Sequence, residues 1–141
     1  MVYYIIPYVD ENYRTLTDRE HRALGGLSRG GGWTVKLGFE YPELFGSLGL
    51  HSPATFKDNA PYVENYIKNI PDKSRPRLWF DIGDQDKELG SGALLEEVLT
   101  RTSYIHEFHL FSGDHTENYW GAHVEDYLRW YTAAWQEEPQ Q

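Results

Sequence analysis

The sequence predicts a single α/β domain, a parallel sheet of about four strands with helices on both faces. Three observations carry that reading. After an opening helix, strand-like runs alternate with helical segments four times, the order that builds βαβ units and a parallel sheet. The helical segments show apolar residues one turn apart and are closed by prolines at Pro42 and Pro71. No repeat, linker or low-complexity segment interrupts the 141 residues, a length that suits one hydrophobic core.

The elements follow in order. Residues 3 to 13 carry Ile5, Ile6, Val9 and Tyr13 at helical spacing, with Pro7 placed where a first turn tolerates it. Residues 22–27 form a short run that reads as a strand by its place rather than by propensity, because it contains two glycines. A helix over 28–41 follows, with Val35 and Phe39 one turn apart, then a strand over 46–51 that ends in Ser52-Pro53. Residues 58–70 put Ala60, Val63, Ile67 and Ile70 on one helical face. The run "RLWFDIG", 77–83, is the clearest strand. Leu94, Leu95, Val98 and Leu99 mark a helix over 92–101, and the β-rich "YIHEFHLF" covers 104–111. A last helix over 116–135 places Trp120, Val124, Tyr127, Leu128, Tyr131 and Trp135 on one broad stripe, and a polar tail begins at about 136.

Composition narrows the function. A formal charge of −9 with no basic stripe argues against nucleic acid as a partner. No apolar run approaches the roughly 18–20 residues of a membrane span. The start "MVYYIIPYVDENYR" lacks the basic region and small-residue cleavage site of a signal peptide. With no cysteine there is no disulfide and no thiolate metal site, and the compartment stays open.

Chemistry enters at "RALGGLSRGGG", where Gly26-Leu27-Ser28-Arg29-Gly30 lies between an apparent strand and a helix. A G-x-S-x-G turn at that place strains the serine backbone and lifts its Oγ clear of the sheet, with the glycines removing Cβ atoms that would collide. The amide that follows, that of Arg29, opens a helix and suits a developing oxyanion. A nucleophilic serine needs a histidine base and an acid, in the chain order serine, acid, histidine. Of six histidines, His21 precedes the first strand, His106 and His109 lie within a predicted strand on opposite faces, and His123 sits in the last helix as a surface or packing residue. His115 differs, lying in "FSGDHTENYW" between the last strand and the last helix, where α/β enzymes place their chemistry. The acid is expected from the loop after "LWFDIG", which holds Asp84 and Asp86, while Asp81 is still within the strand. His51, at the end of its strand, either borders the site or is a solvated turn histidine. Trp120, Trp130 and Trp135 are expected to pack the last helix rather than to stack on a substrate.

Over nearly its whole length the chain resembles the esterase D-like family of α/β-hydrolases, which includes feruloyl and acetylxylan esterases, enterochelin-type esterases and S-formylglutathione hydrolase. The resemblance lies in "IPYVDENYRT", "HRALGGLSRGG", "YPELFGSLGLHSPA", "DIGDQD" and "GDHTENYWGAHVEDYLRW". The family's Gly-x-x-Asp turn matches Gly83 to Asp86 and favours Asp86 as the acid, and its Gly-x-His segment with a tryptophan shortly after matches His115 and Trp120. The resemblance implies a serine carboxylesterase acting on short-chain or aryl esters, such as those that decorate plant polysaccharide. Ser28 would be the nucleophile, His115 the base, Asp86 the acid and the Arg29 backbone N–H an oxyanion donor, with no metal or cofactor. A thioesterase or acyltransferase with the same residues, or a non-catalytic module, are the alternatives. The family normally carries about as much chain again before "IPYVDENYR", so a truncated α/β-hydrolase sheet is expected, with 22–27 at its edge. A bare apolar edge invites pairing, which makes a homodimer, or a separate N-terminal piece covering 22–27, the expected partner beside a small ester substrate.

Overall fold

The computed structural model describes residues 2–54 and 60–135. The chain runs α1 (Ile5–Asn12), β1 (Ala23–Leu27), α2 (Arg29–Glu40), β2 (Ser47–His51), α3 (Ala60–Asn69), β3 (Arg77–Gly83), α4 (Leu89–Arg101), β4 (Glu107–Phe111) and α5 (Glu117–Ala133). The four strands pair in the order β1-β2-β3-β4, all parallel, with Leu27 opposite His51, His51 opposite Asp81 and Asp81 opposite His109. Consecutive strands are neighbours, so every crossover helix returns the chain to the same end of the sheet. The loops after β1, β3 and β4 therefore meet along one rim.

Strand alternation divides the side chains between two layers. Leu48 and Leu50 of β2 and Leu78, Phe80 and Ile82 of β3 face α2, α3 and α4, where they meet Val35, Phe39, Val63, Ile67, Leu95, Val98 and Leu99 in the main core. The opposite face carries Trp79 and Asp81 and is covered by α5 through Tyr127 and Trp130, with Phe111 and Tyr131 alongside. Helices on both faces are what the alternating pattern predicted, and the first three strands lie within one residue of their expected bounds.

Three local expectations are corrected. The strand predicted from 104 starts at Glu107, because the amides of Ser103 and Tyr104 are spent capping α4, on the carbonyls of Thr100 and Leu99. His106 therefore lies outside the strand, held by the Tyr104 carbonyl at 2.6 Å and by Glu96 Oε2 at 2.7 Å. Of the four apolar residues expected to share a helical face over 3–13, Ile6 and Val9 are partly covered, and Ile5 and Tyr13 are exposed.

The stripe on α5 is the third. Its buried residues are Tyr119, Tyr127 and Trp130, whereas Val124 and Leu128 are 50% and 60% exposed. Val124, Leu128 and Trp135 lie on the flank that also carries Tyr131, whose hydroxyl rests over Gly25 and Gly49 so closely that neither position has room for a Cβ. That flank looks out past β1, which among the described residues pairs only with β2 and leaves Leu27 43% exposed. Periodicity found a real apolar stripe, but among the described residues Val124 and Leu128 are left exposed on it. The polar tail from 136 and the predicted helix start at 58 lie outside the described residues.

Burial sets the expected stability effects. Phe80 is fully buried, and Phe80→Ala should cost about 3–5 kcal/mol in urea denaturation, whereas Leu128→Ala, on the open flank, should cost less than about 0.5 kcal/mol.

Candidate active site

Only one residue, Ser28, separates β1 from α2. Its backbone sits at φ 53 and ψ −116, a region that costs an L-residue on the order of 1–3 kcal/mol. Main-chain hydrogen bonds hold it there: the Ser28 amide donates to the His51 carbonyl at 3.0 Å, and the Ser28 carbonyl accepts from Gly32 at 3.1 Å and Ala54 at 2.9 Å. The turn folds α2 back over β1 so tightly that a Cβ on Gly26 would lie 2.3 Å from the Gly30 carbonyl carbon. The expected collision is real on that side. On the other it is not, since a Cβ on Gly30 would meet nothing within 4 Å. Arg29 is the first residue of α2, so its N–H has no intrahelical acceptor and is available at the turn.

The two other loops converge on Ser28. The main-chain carbonyl of Gly83 accepts from the Asp86 amide at 3.1 Å, closing a turn that points the Asp86 side chain inward. The loop after β3 is tied to the loop after β4 by Asp84 N–H on the Phe111 carbonyl, Gln85 N–H on the Gly113 carbonyl, and Gly113 N–H on Asp84 Oδ1. These bonds bring His115 over Asp86. Its Nδ1 lies 2.9 and 3.0 Å from the two carboxylate oxygens, and its Nε2 lies 2.8 Å from Ser28 Oγ. A carboxylate only accepts, so Nδ1 carries the proton and Nε2 is left to accept from the serine hydroxyl. The Asp86 side chain is fully buried and also takes the Glu88 amide at 2.7 Å. The Trp120 ring packs edge-on against the His115 imidazole, with 5.0 Å between ring centres.

The structure thus brings Ser28, Asp86 and His115 together and leaves Asp84 as a loop brace. His21 pairs with Asp18, away from the cluster. His109 stacks on Trp79, and His123 packs against Phe111 as a packing residue. Of the tryptophans, Trp130 packs α5 as expected, Trp120 lies against His115, and Trp135 is partly exposed. His51 is not a solvated turn residue: its side chain is 4% exposed and bonded to Asp81 at 2.6 Å, while its main-chain carbonyl borders the site by accepting from the Ser28 amide.

This serine–aspartate–histidine chain order, on a parallel sheet and with an acute turn at the serine, is the arrangement of an α/β-hydrolase. The family described as "Putative esterase" matches residues 4–131. The chain belongs to that esterase family. An endo-1,4-beta-xylanase/feruloyl esterase of Xylanibacter ruminicola is 32% identical over 108 residues, covering 74% of this chain and 14% of that protein. Among solved structures, the Staphylococcus aureus fluorophosphonate-binding serine hydrolase F superposes with a TM-score of 0.82 at 19% identity, over 92% of this chain and 61% of its own. A ferulic acid esterase from Anaeromyces mucronatus, solved with ferulic acid, gives 0.74 at 23%, over 96% and 53%. These two structures show the shared fold, and this esterase-family chain spans little more than half of each.

Sequence reasoning missed one polar cluster beside the site. Asp81, in the middle of β3, is fully buried and receives four side-chain donors, from Trp79, His51, Tyr119 and Tyr127. The signal was present in "LWFDIG": a charged residue inside an otherwise apolar strand must find partners. A cavity of ≈650 Å³ lies between α2, α3 and α4, lined by Arg29, Trp33, Tyr62, Tyr66 and Leu94 but by neither Ser28 nor His115.

The glycine geometry has a direct test. Gly26→Ala should lower the melting temperature clearly, as the Cβ meets backbone that cannot give way, at about 1–3 kcal/mol or more. Gly30→Ala should be neutral or stabilising, because its Cβ meets open space and alanine favours a helix by up to about 1 kcal/mol.

Proposed function

We propose that this esterase-family chain is a serine carboxylesterase that hydrolyses short-chain or aryl esters through an acyl-enzyme on Ser28. The observation that carries the proposal is the unbroken relay from Ser28 Oγ through His115 to Asp86, with both hydrogen-bond links at 3.0 Å or less. Ser28 Oγ attacks the ester carbonyl as His115 Nε2 takes its proton. The carbonyl oxygen becomes an oxyanion, and the Arg29 N–H is placed to donate to it. The carbonyl re-forms, the bond to the alcohol breaks, and His115 returns the proton to the departing alkoxide. A water then repeats the sequence on the acyl-serine, releasing the carboxylic acid and restoring the hydroxyl. Asp86 holds the Nδ1–H tautomer and stabilises the imidazolium. An aryl ester is favoured as substrate by the Xylanibacter ruminicola relative, whose name includes feruloyl esterase. The same residues serve a thioesterase or an acyltransferase if the leaving group is a thiol or the acceptor is not water.

Hydrolysis of p-nitrophenyl acetate and butyrate tests the reading. Ser28→Ala should abolish turnover, and equal rates in the two proteins would refute the nucleophile. Asp86→Asn should lower kcat on the order of 10⁴-fold, the size of effect that follows when a triad histidine is held in the wrong tautomer. Asp84→Asn should stay within about threefold, because an amide oxygen still accepts the Gly113 N–H. A folded wild type that hydrolyses neither ester would favour a non-catalytic module.

The open side of the sheet supports a proposal about assembly. The edge of β1, which has no partner strand among the described residues, and the exposed α5 flank with Val124 and Leu128 lie side by side, and a two-fold axis through the sheet would pair both with themselves. We propose that a second copy of this chain docks there. Light scattering should give twice the mass of the chain, and a clean monomer at micromolar concentration would contradict it.

A further inference from the structure

The carboxylate of Asp81 is as enclosed as that of Asp86, yet it touches none of the three relay residues. Its Oδ1 accepts from Trp79 Nε1 at 2.8 Å and from His51 Nδ1 at 2.6 Å, and its Oδ2 accepts from the hydroxyls of Tyr119 at 2.9 Å and Tyr127 at 2.8 Å. Four donors use all the lone pairs that two carboxylate oxygens offer. The phenols are fixed as donors, since burial first, and then the Asp81 charge, push both well above the ordinary tyrosine range. A second tier continues the network. His51 gives its Nδ1–H to Asp81, so its Nε2 accepts from the Tyr131 hydroxyl at 2.9 Å. Tyr119, Tyr127 and Tyr131 all stand on α5, so one buried anion on β3 pins that helix to the sheet along most of its length.

Of these three tyrosines, Tyr119 is nearest the site. It lies in the first turn of α5, four residues after His115, and its amide is capped by Thr116 Oγ1. The Tyr119 ring also forms the floor of the histidine loop. Gly113, at φ 144, passes so close that a Cβ there would be 2.7 Å from Tyr119 Cδ2. The only hydrogen bond of the Tyr119 hydroxyl among the described residues is the one to Asp81. The path is short and continuous: Asp81, the Tyr119 hydroxyl and ring, the Gly113–Thr116 loop, then His115.

We infer that Asp81 is a positioning residue, which through the Tyr119 hydroxyl fixes the start of α5 and holds the His115 imidazole in line with both Ser28 and Asp86. The inference rests on the proposed relay for its effect on turnover, and on the geometry alone for its effect on His115. A buried anion with four donors is a rigid anchor, because moving any donor leaves part of the charge unpaired. Misplacement of a reacting group by about 1 Å can cost about 10²-fold in rate, so a loosened loop registers in kcat before it registers in the fold.

Tyr119→Phe and Tyr127→Phe make the comparison. Each removes one hydroxyl from the same Asp81 oxygen and keeps its ring, but Tyr127 lies two turns further along α5. The readouts are kcat and KM on p-nitrophenyl acetate, the melting temperature, and the downfield proton NMR signal of His115 Nδ1–H. Both variants should melt lower by similar amounts. Tyr119→Phe should also lower kcat by about tenfold with KM within about twofold, and should broaden the Nδ1–H signal by exchange with water. Tyr127→Phe should keep kcat within about twofold and keep that signal sharp. Identical kcat and identical signals in the two variants would overturn the inference and reduce Asp81 to a structural anchor. Turnover unaffected by Ser28→Ala would instead remove the proposed relay, and the NMR contrast would then decide the positioning claim by itself.

Discussion

The hydrogen bond from the Ser28 amide to the carbonyl of His51 ties the turn at the serine to the next strand, and the rest of the site is arranged around that turn. An L-residue does not choose φ 53 with ψ −116 unaided. Bonds from Gly32 and Ala54 to the Ser28 carbonyl close the turn from the helix side and from the chain after β2. The parallel register supplies the remaining condition. Because β1 to β4 pair in sequence order, the turn after β1 opens on the same rim as the loops that carry Asp86 and His115. A serine hydroxyl lifted from the sheet is then within 2.8 Å of an imidazole 87 residues away.

Two buried carboxylates on one strand-and-loop segment have been given different work by their surroundings. Asp81 is saturated by four side-chain donors and has nothing left to offer a reacting group. Asp86, five residues on, meets the Glu88 amide and the His115 imidazole, whose other nitrogen lies against Ser28 Oγ. Burial strengthens both interactions and also makes each costly to leave half made. The division explains why Asp81 belongs to the frame and Asp86 to the candidate relay although both are acidic, enclosed and close in sequence.

Much of this was legible in the residues. Alternating strand and helix patterns located every strand, and a glycine-flanked serine between two elements marked the turn. His115 stood out because it alone of six histidines lies in a loop after the last strand. What the sequence could not express is contact across elements. The three tyrosines that grip Asp81 and His51 are spaced along α5 as ordinary helix residues, and only the sheet brings their hydroxyls to one point. The same limit explains the α5 stripe. Periodicity finds apolar residues on a face but does not say whether anything covers it, and Val124 and Leu128 face outward beside a strand with one neighbour among the described residues. The late start of β4 is local, but it needed the capping of α4 by Ser103 and Tyr104, which has no distinct sequence mark.

The central claim is that Ser28 is an activated nucleophile, and the most direct measurement is peptide mass spectrometry of the protein after treatment with a fluorophosphonate. Such a reagent modifies a serine whose hydroxyl is deprotonated by a neighbouring base and needs no knowledge of the natural ester. The account predicts one adduct, on the peptide containing Ser28, that is lost when His115 is replaced by asparagine. An unmodified protein would contradict it, as would an adduct on another serine such as the buried, positive-φ Ser52.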